Sequence, residues 1–160
     1  MEGDEMKINR LELENFRLFD RAELQLDGKS TVIFGVNGTG KTSVLASVNL
    51  LYANIINQIV NRKELKQNFN LELDDMKYGK TQTKIEADFY MEEQRITYHR
   101  SMVRKTGKRG HDLNALKDIA ALFHEKYIDD EKQDNIPLFV NYGTNRLVLD
   151  IPMRIGNRHT

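Results

Sequence analysis

Two short runs near the start of the chain alternate apolar and polar positions. Lys7 to Glu14 does so imperfectly, with Ile8, Leu11 and Leu13 as its apolar members, and Ala22 to Leu26 does so cleanly with period two. Each predicts a strand. Asp27-Gly28 supplies turn chemistry into a third, Ser30 to Phe34, whose unbroken apolar centre predicts a strand covered on both faces. The period then changes: Val44, Val48, Leu51, Ile55 and Ile59 form one stripe, widened by Leu45, Tyr52 and Ile56, which predicts a long helix packed on the sheet. Between the first two strands, Asn15-Phe16-Arg17-Leu18-Phe19 is too aromatic for a plain solvated turn.

Asn61 to Lys80 is polar and irregular, with Asp74-Asp75 and Tyr78-Gly79 marking a loop or a short helical turn. Thr83, Ile85, Ala87 and Phe89 then alternate with Lys84, Glu86, Asp88 and Tyr90, and a second run from Arg95 to Arg104 follows the turn-like Met91 to Gln94. This predicts a hairpin with one wet face. Asp112 is placed to cap a helix carrying Leu113, Leu116, Ile119, Ala120 and Phe123 and ending near Asp129, and the acidic Asp129 to Asp134 reads as surface. After Pro137, Leu138 to Tyr142 reads as another core strand running into Gly143-Thr144-Asn145-Arg146. Strand ends in α/β sheets are where ligand contacts gather, so Asn145 and Arg146 are candidates for a nucleotide site or switch loop, and equally for a plain turn.

Composition narrows the classes. The 160 residues suit one domain and carry 24 basic and 24 acidic side chains, so the formal net charge is zero and no global field favours nucleic acid or an anionic membrane. The basic stretch Lys105 to His111, with Arg100 and Arg104 just upstream, is a local candidate for gripping a phosphate backbone, or a solvated connection. With no cysteine, disulfides, thiolate zinc sites and a cysteine nucleophile are excluded, as befits a reducing cytoplasm. Met1 to Glu5 is acidic and reads as a frayed tail, neither secretory signal nor transit peptide. Asn49, Asn54, Asn57 and Gln58 interrupt the most apolar segment, which argues against a bilayer span.

The candidate chemistry lies in Gly35-Val36-Asn37-Gly38-Thr39-Gly40-Lys41-Thr42, which satisfies the phosphate-loop pattern G-x-x-x-x-G-K-[ST] at every fixed position. Backbone N–H groups converge on a phosphate only where side chains do not block them, and the three glycines permit that curl. Lys41 adds a mobile positive charge, and the Thr42 hydroxyl is placed to ligate the magnesium ion that accompanies a triphosphate. An apolar run before the loop and a helix after it supply the strand-loop-helix setting that the motif needs.

Ile8 through Leu45 resembles the N-terminal lobe of ATP-binding-cassette-type heads in the SMC, RecF and OLD-like ATPases. An opening strand leads into an N-F-R-x-F turn, here Asn15 to Phe19; an amphipathic strand, an apolar strand and G-x-N-G-x-G-K-[ST] follow, with Asn37 as the hallmark asparagine. Asn141 to Arg146 more loosely resembles a region of bacterial defence and OLD-like members. The resemblance implies an α/β P-loop NTPase lobe with a mixed sheet, an antiparallel hairpin and a long helix after the loop. It implies that Arg17 reaches the nucleotide from its turn while Asn37, Gly38, Thr39, Gly40, Lys41, Thr42 and Ser43 wrap the phosphates of ATP. It further implies a homodimer of heads clamped by ATP, with DNA or an effector nuclease as partner, in DNA repair or antiviral defence.

The departures from that family are specific. Such heads carry an aspartate-glutamate pair after four apolar residues, and a serine-glycine signature that meets the second ATP across the dimer. Leu147-Val148-Leu149-Asp150 is the nearest approach to the first, but Ile151 and Pro152 follow. The 160 residues are therefore expected to form one partial ATPase domain that binds nucleotide and turns it over poorly. A complete small P-loop kinase or nucleotidase using Asp150 for magnesium is one alternative; a non-enzymatic DNA- or protein-binding module using Arg100 to His111 is another. His99, His111, His124 and His159 fit no ligand motif, and Asp74-Asp75 and Asp129-Asp130-Glu131 are neighbours whose side chains point apart, expected on solvated faces.

Overall fold

Leu11 and Leu13 are completely buried because the strand that carries them is paired along both edges. In the computed structural model, which describes residues 6–60, 70–91, 93–127, 139, 140 and 142, this strand is β1 (Lys7–Phe16). It turns directly into β2 (Phe19–Gln25), while β3 (Gln82–Met91), β4 (Gln94–Val103) and β5 (Arg109–His111) add on its other side. The order is β2-β1-β3-β4-β5, and every neighbouring pair is antiparallel.

The pairing register aligns the apolar sets. Leu24, Leu11, Ala87 and Tyr98 form one cross-strand row, and Ala22, Leu13, Ile85 and Arg100 the next. Helix α1 (Lys41–Val60) covers that face with Leu51 and Ile55 fully buried. Helix α2 (Leu113–Tyr127) packs on α1 and β4 through Leu116, Ile119 and Phe123, and the Asp112 carboxylate accepts its free Asn114 and Ala115 N–H groups at 3.0 Å. By length and composition α1 could cross a bilayer, yet it is the central helix of this core.

Arg100 lies within the second row and is buried. Its guanidinium donates to the Leu50 carbonyl of α1 at 2.6 Å and to Asn70 Oδ1 at 3.3 Å, tying the sheet to the helix. Burial lowers its pKa from the usual value. The opposite face is wet as expected: Arg10 engages Glu12, Glu23 (3.0 Å) and Glu86 (3.4 Å), and Arg95 engages Asp88 at 2.7 Å.

Several expectations are corrected. Ser30 to Phe34 is not a strand: Val32 and Phe34 are 84% and 90% exposed, and only Ile33 touches the core. A strand covered on both faces needs neighbours on both sides, and no described strand lies alongside. For the same reason the expected mixture of strand directions is absent among the described residues, while the α/β character stands. The basic Lys105 to His111 stretch is the β4–β5 hairpin, with Val103 N–H bonded to the Lys108 carbonyl at 3.0 Å. Leu45 and Leu113, assigned to apolar stripes, are about half exposed, and Leu50 and Ala53 are buried in their stead. Phe139, Val140 and Tyr142 belong to no sheet, although the Phe139 ring meets Tyr52. Asp129 to Asp134, Asn145, Arg146, Asp150 and His159 lie outside the described residues.

Tyr52 stands edge-on to Phe89, with ring centroids 5.6 Å apart, and burial pushes its phenol up to about 12. Its folded-state pKa lies above the unfolded value of about 10, so stability is unaffected below pH ~10 and is lost as pH rises towards the folded value. Two units correspond to at most about 2.7 kcal/mol. Burial raises Tyr98 too. Urea unfolding at rising pH is therefore expected to show a smaller alkaline loss in Tyr52→Phe than in the parent, and equal losses would remove Tyr52 as a cause.

Candidate phosphate-binding site

The loop from Gly35 to Thr42 joins the exposed Ser30–Phe34 stretch to the first turn of α1. Gly38 and Gly40 hold φ angles of +85° and +93°, a region that side chains rarely enter. They differ in surroundings. A Cβ on Gly38 would meet open space, whereas one on Gly40 would lie 2.5 Å from Phe19 Cζ. The first residue of β2 thus presses its ring onto the loop, which places the Asn15–Phe19 turn beside it.

Lys41 Nζ donates to the Gly35 and Val36 carbonyls at 2.8 and 2.6 Å, and Thr39 Oγ1 donates to the Val36 carbonyl at 2.9 Å. The ammonium therefore curls back over the loop that encloses it. Asn37, Gly38, Thr39 and Thr42 are exposed, and Gly40 and Ser43 are buried. The first turn of α1 has no acidic side chain, so the positive end of its dipole is not neutralised. Glycines that leave backbone N–H groups accessible, a partly exposed ammonium and an exposed hydroxyl at a helix start are a donor set that fits a phosphate chain with a magnesium ion.

Arg17 occupies a left-handed backbone conformation at φ +49°, as does Asn15. Its N–H donates to the Asp75 carbonyl at 2.8 Å, its Nε donates to Asp75 Oδ1 at 3.0 Å, and Nη2 lies 2.9 Å from the same oxygen. Asp75 is therefore not on a solvated face. It ends the 3-10 turn Leu73–Asp75, is only 8% exposed, and its Oδ2 accepts the Glu72 N–H at 3.0 Å. An isolated bridge between Phe16 and Met76, and a 2.8 Å bond from Lys77 N–H to the Asn15 carbonyl, hold the two turns together. Sequence reasoning missed both Phe19 as a loop contact and Asp75 as an arginine partner. The aromatic excess at positions 16 and 19 was the available signal for the first; the second pairs residues 58 apart and left none.

The basic hairpin is largely committed to the fold. Arg104 Nε donates to the Lys80 carbonyl at 2.8 Å, Arg109 donates to the Leu71 carbonyl at 2.7 Å and to Glu72 at 3.0 Å, and Arg100 is buried. Lys105 and Lys108 remain exposed. His124 is bonded to the Ile59 carbonyl at 2.8 Å, and no cluster of metal-ligating side chains occurs among the described residues.

Comparison with known proteins agrees with this arrangement. The chain is 31% identical over 105 residues to the DNA replication and repair protein RecF of Bacillus subtilis, covering 66% of this chain and 25% of that protein. It is 48% identical over 44 residues to RecF of Allorhizobium ampelinum, covering 28% of this chain and 12% of that protein. It thus spans at most about a quarter of these relatives' length. A solved structure, from work on ATP-driven dimerisation and DNA-stimulated activation of SMC ATPases, matches with a TM-score of 0.52 at 16% identity, covering 83% of this chain and 86% of its own. That likeness supports the P-loop NTPase fold. Residues 6–148 match the family described as the AAA ATPase domain, and the chain belongs to that family.

Proposed function

We propose that this chain is the ATP- and magnesium-binding lobe of a cytoplasmic RecF/SMC-like ATPase, in which nucleotide brings two heads together and hydrolysis releases them, in DNA repair or antiviral defence. The observation that carries this reading is the Gly35–Thr42 loop, with Lys41 folded onto the Gly35 and Val36 carbonyls at the open start of α1. Phosphate oxygens offer the ammonium stronger acceptors than those carbonyls, so Lys41 exchanges one set for the other. The loop N–H groups of Asn37 to Lys41 and the first turn of α1 hold the phosphates, and the Thr42 hydroxyl holds the magnesium ion. Magnesium supplies charge neutralisation across the phosphates. Arg17, two residues before Phe19, whose ring packs on Gly40, adds a fixed positive group.

Hydrolysis is assigned to residues beyond this lobe, because no aspartate-glutamate pair follows an apolar run in the 160 residues. The exposed Val32, Phe34 and Val36 support the same division: strands of a further lobe of the same ATPase cover them. A DNA-binding module built on Arg100 to His111 finds less support, since Arg100 and Arg109 are engaged within the fold.

Two measurements test the site. Mg-ATP at ~100 times its Kd is expected to stabilise the protein by about 2.7 kcal/mol, roughly 5–10 °C in melting temperature at this size. The shift should vanish in Lys41→Ala, and its absence from the unaltered protein would sink the binding reading. Gly40→Ala and Gly38→Ala separate backbone strain from the Phe19 contact. Each is expected to lose on the order of 1–3 kcal/mol to an unfavourable φ, and Gly40→Ala to lose more because its Cβ meets the Phe19 ring. Equal melting losses would take that contact out of the account.

A further inference from the structure

Asp75 is a carboxylate that neither the loop motif nor the fold's apolar core requires, yet it is nearly buried and fully committed. One oxygen takes both Nε and Nη2 of Arg17, the other takes the Glu72 N–H, and its own carbonyl takes the Arg17 N–H. Arg17 is thereby held at three points: through its backbone, through one edge of its guanidinium, and through its left-handed conformation, which a long side chain adopts only when the surroundings impose it. The Phe16 ring lies under the guanidinium at 5.3 Å. Nη1 has no partner among the described residues. The turn that carries this group is fixed against the phosphate loop by Phe19 on Gly40.

We infer that Asp75 is a positioning residue for nucleotide: it clamps Arg17 by its Nε/Nη2 edge so that the remaining edge, Nη1, is presented to the phosphates. This rests on the proposal that the loop binds Mg-ATP and that Arg17 contributes. The physical gain is preorganisation. A free arginine side chain carries about 2 kcal/mol of rotamer entropy that binding would otherwise cost. A buried carboxylate that has already removed it, without occupying the whole fork, leaves a rigid donor. Asp75 also holds the 3-10 turn through Glu72, so its removal has a structural consequence separate from its action on Arg17.

That separation makes the inference testable by paired cycles on Arg17→Ala, Asp75→Asn and the double variant. Mg-ATP affinity is read by titration calorimetry, and nucleotide-free stability by urea unfolding. Asp75→Asn is expected to weaken Mg-ATP binding about 3–10-fold in the parent and less than about twofold once Arg17 is alanine. Its stability loss is expected to persist in both backgrounds, through the Glu72 contact. A purely structural Asp75 would make affinity follow stability, and an affinity loss that survives in Arg17→Ala would overturn the inference. So would tighter binding in Asp75→Asn, which would make the carboxylate a competitor for Arg17. Unchanged affinity in Arg17→Ala, with Lys41→Ala inactive, would overturn this inference and leave the loop reading intact; unchanged affinity in Lys41→Ala would remove the loop reading itself. Where Asp75→Asn does not fold, Asp75→Glu enters the same cycle and is judged by the same outcomes.

Discussion

A phosphate loop works only if its backbone stays curled while its side chains keep out of the way, and here the curl is braced by Phe19 against Gly40. The contact fixes more than one residue. It requires β2 to begin where it does, directly after a two-residue turn, and that turn requires left-handed backbone at Asn15 and Arg17. For Arg17 that conformation is not cheap. Its cost is offset by the Asp75 contacts and by the Phe16–Met76 bridge, so a short segment some sixty residues downstream in sequence supports the geometry around the loop. Those supports reach the site through the sheet, since the chain returns from Asp75 into β3 beside β1.

The charge pattern follows from the same economy of placement. With basic and acidic residues equal in number, the chain spends many of them on internal pairs. Arg10 alone draws four carboxylates onto the wet face of the sheet, and Arg100 is sunk into the core to reach a helix carbonyl. Pairs at the wet face contribute little each to stability. Their effect is to neutralise the face. Lys41, with no carboxylate partner among the described residues, lies beside the first turn of α1, which carries no acidic side chain and where an anion gains most.

What could be read from the sequence was what local periodicity encodes. The hairpin of β3 and β4, the helix after the loop, the Asp112 cap and the loop itself all depend on residues within a few positions of one another. The missed features are non-local. Asp74 and Asp75 looked like solvated neighbours because adjacency in sequence was all that was available, and the arginine that claims Asp75 lies far upstream. Arg100 looked like part of a basic patch because its strand parity, which turns it inward beside Ile85, is set by pairing with β3. Ser30 to Phe34 was misassigned for the opposite reason. Its composition is that of a buried strand, and composition does not supply neighbours.

That last stretch bears directly on how the loop is held. Downstream, Gly40 to Thr42 are anchored by α1, whose Leu51 and Ile55 are fully buried; from the side, Phe19 pins Gly40. Upstream, Ile33 is the sole apolar member of residues 31–35 packed on the core, and Val32, Phe34 and Val36 face outward. Gly35 and Val36, the two carbonyls that Lys41 grips, are thus the ends of the least supported part of the loop. Lys41 partly substitutes for that missing support by bonding across the gap. Under the proposed nucleotide reading, Lys41 leaves these carbonyls for phosphate, and the support then comes from phosphate contacts to the loop N–H groups or from a partner packed on Val32 and Phe34. In the proposed reading, nucleotide binding and the covering of residues 30–34 therefore act on the same two carbonyls, and each favours the other.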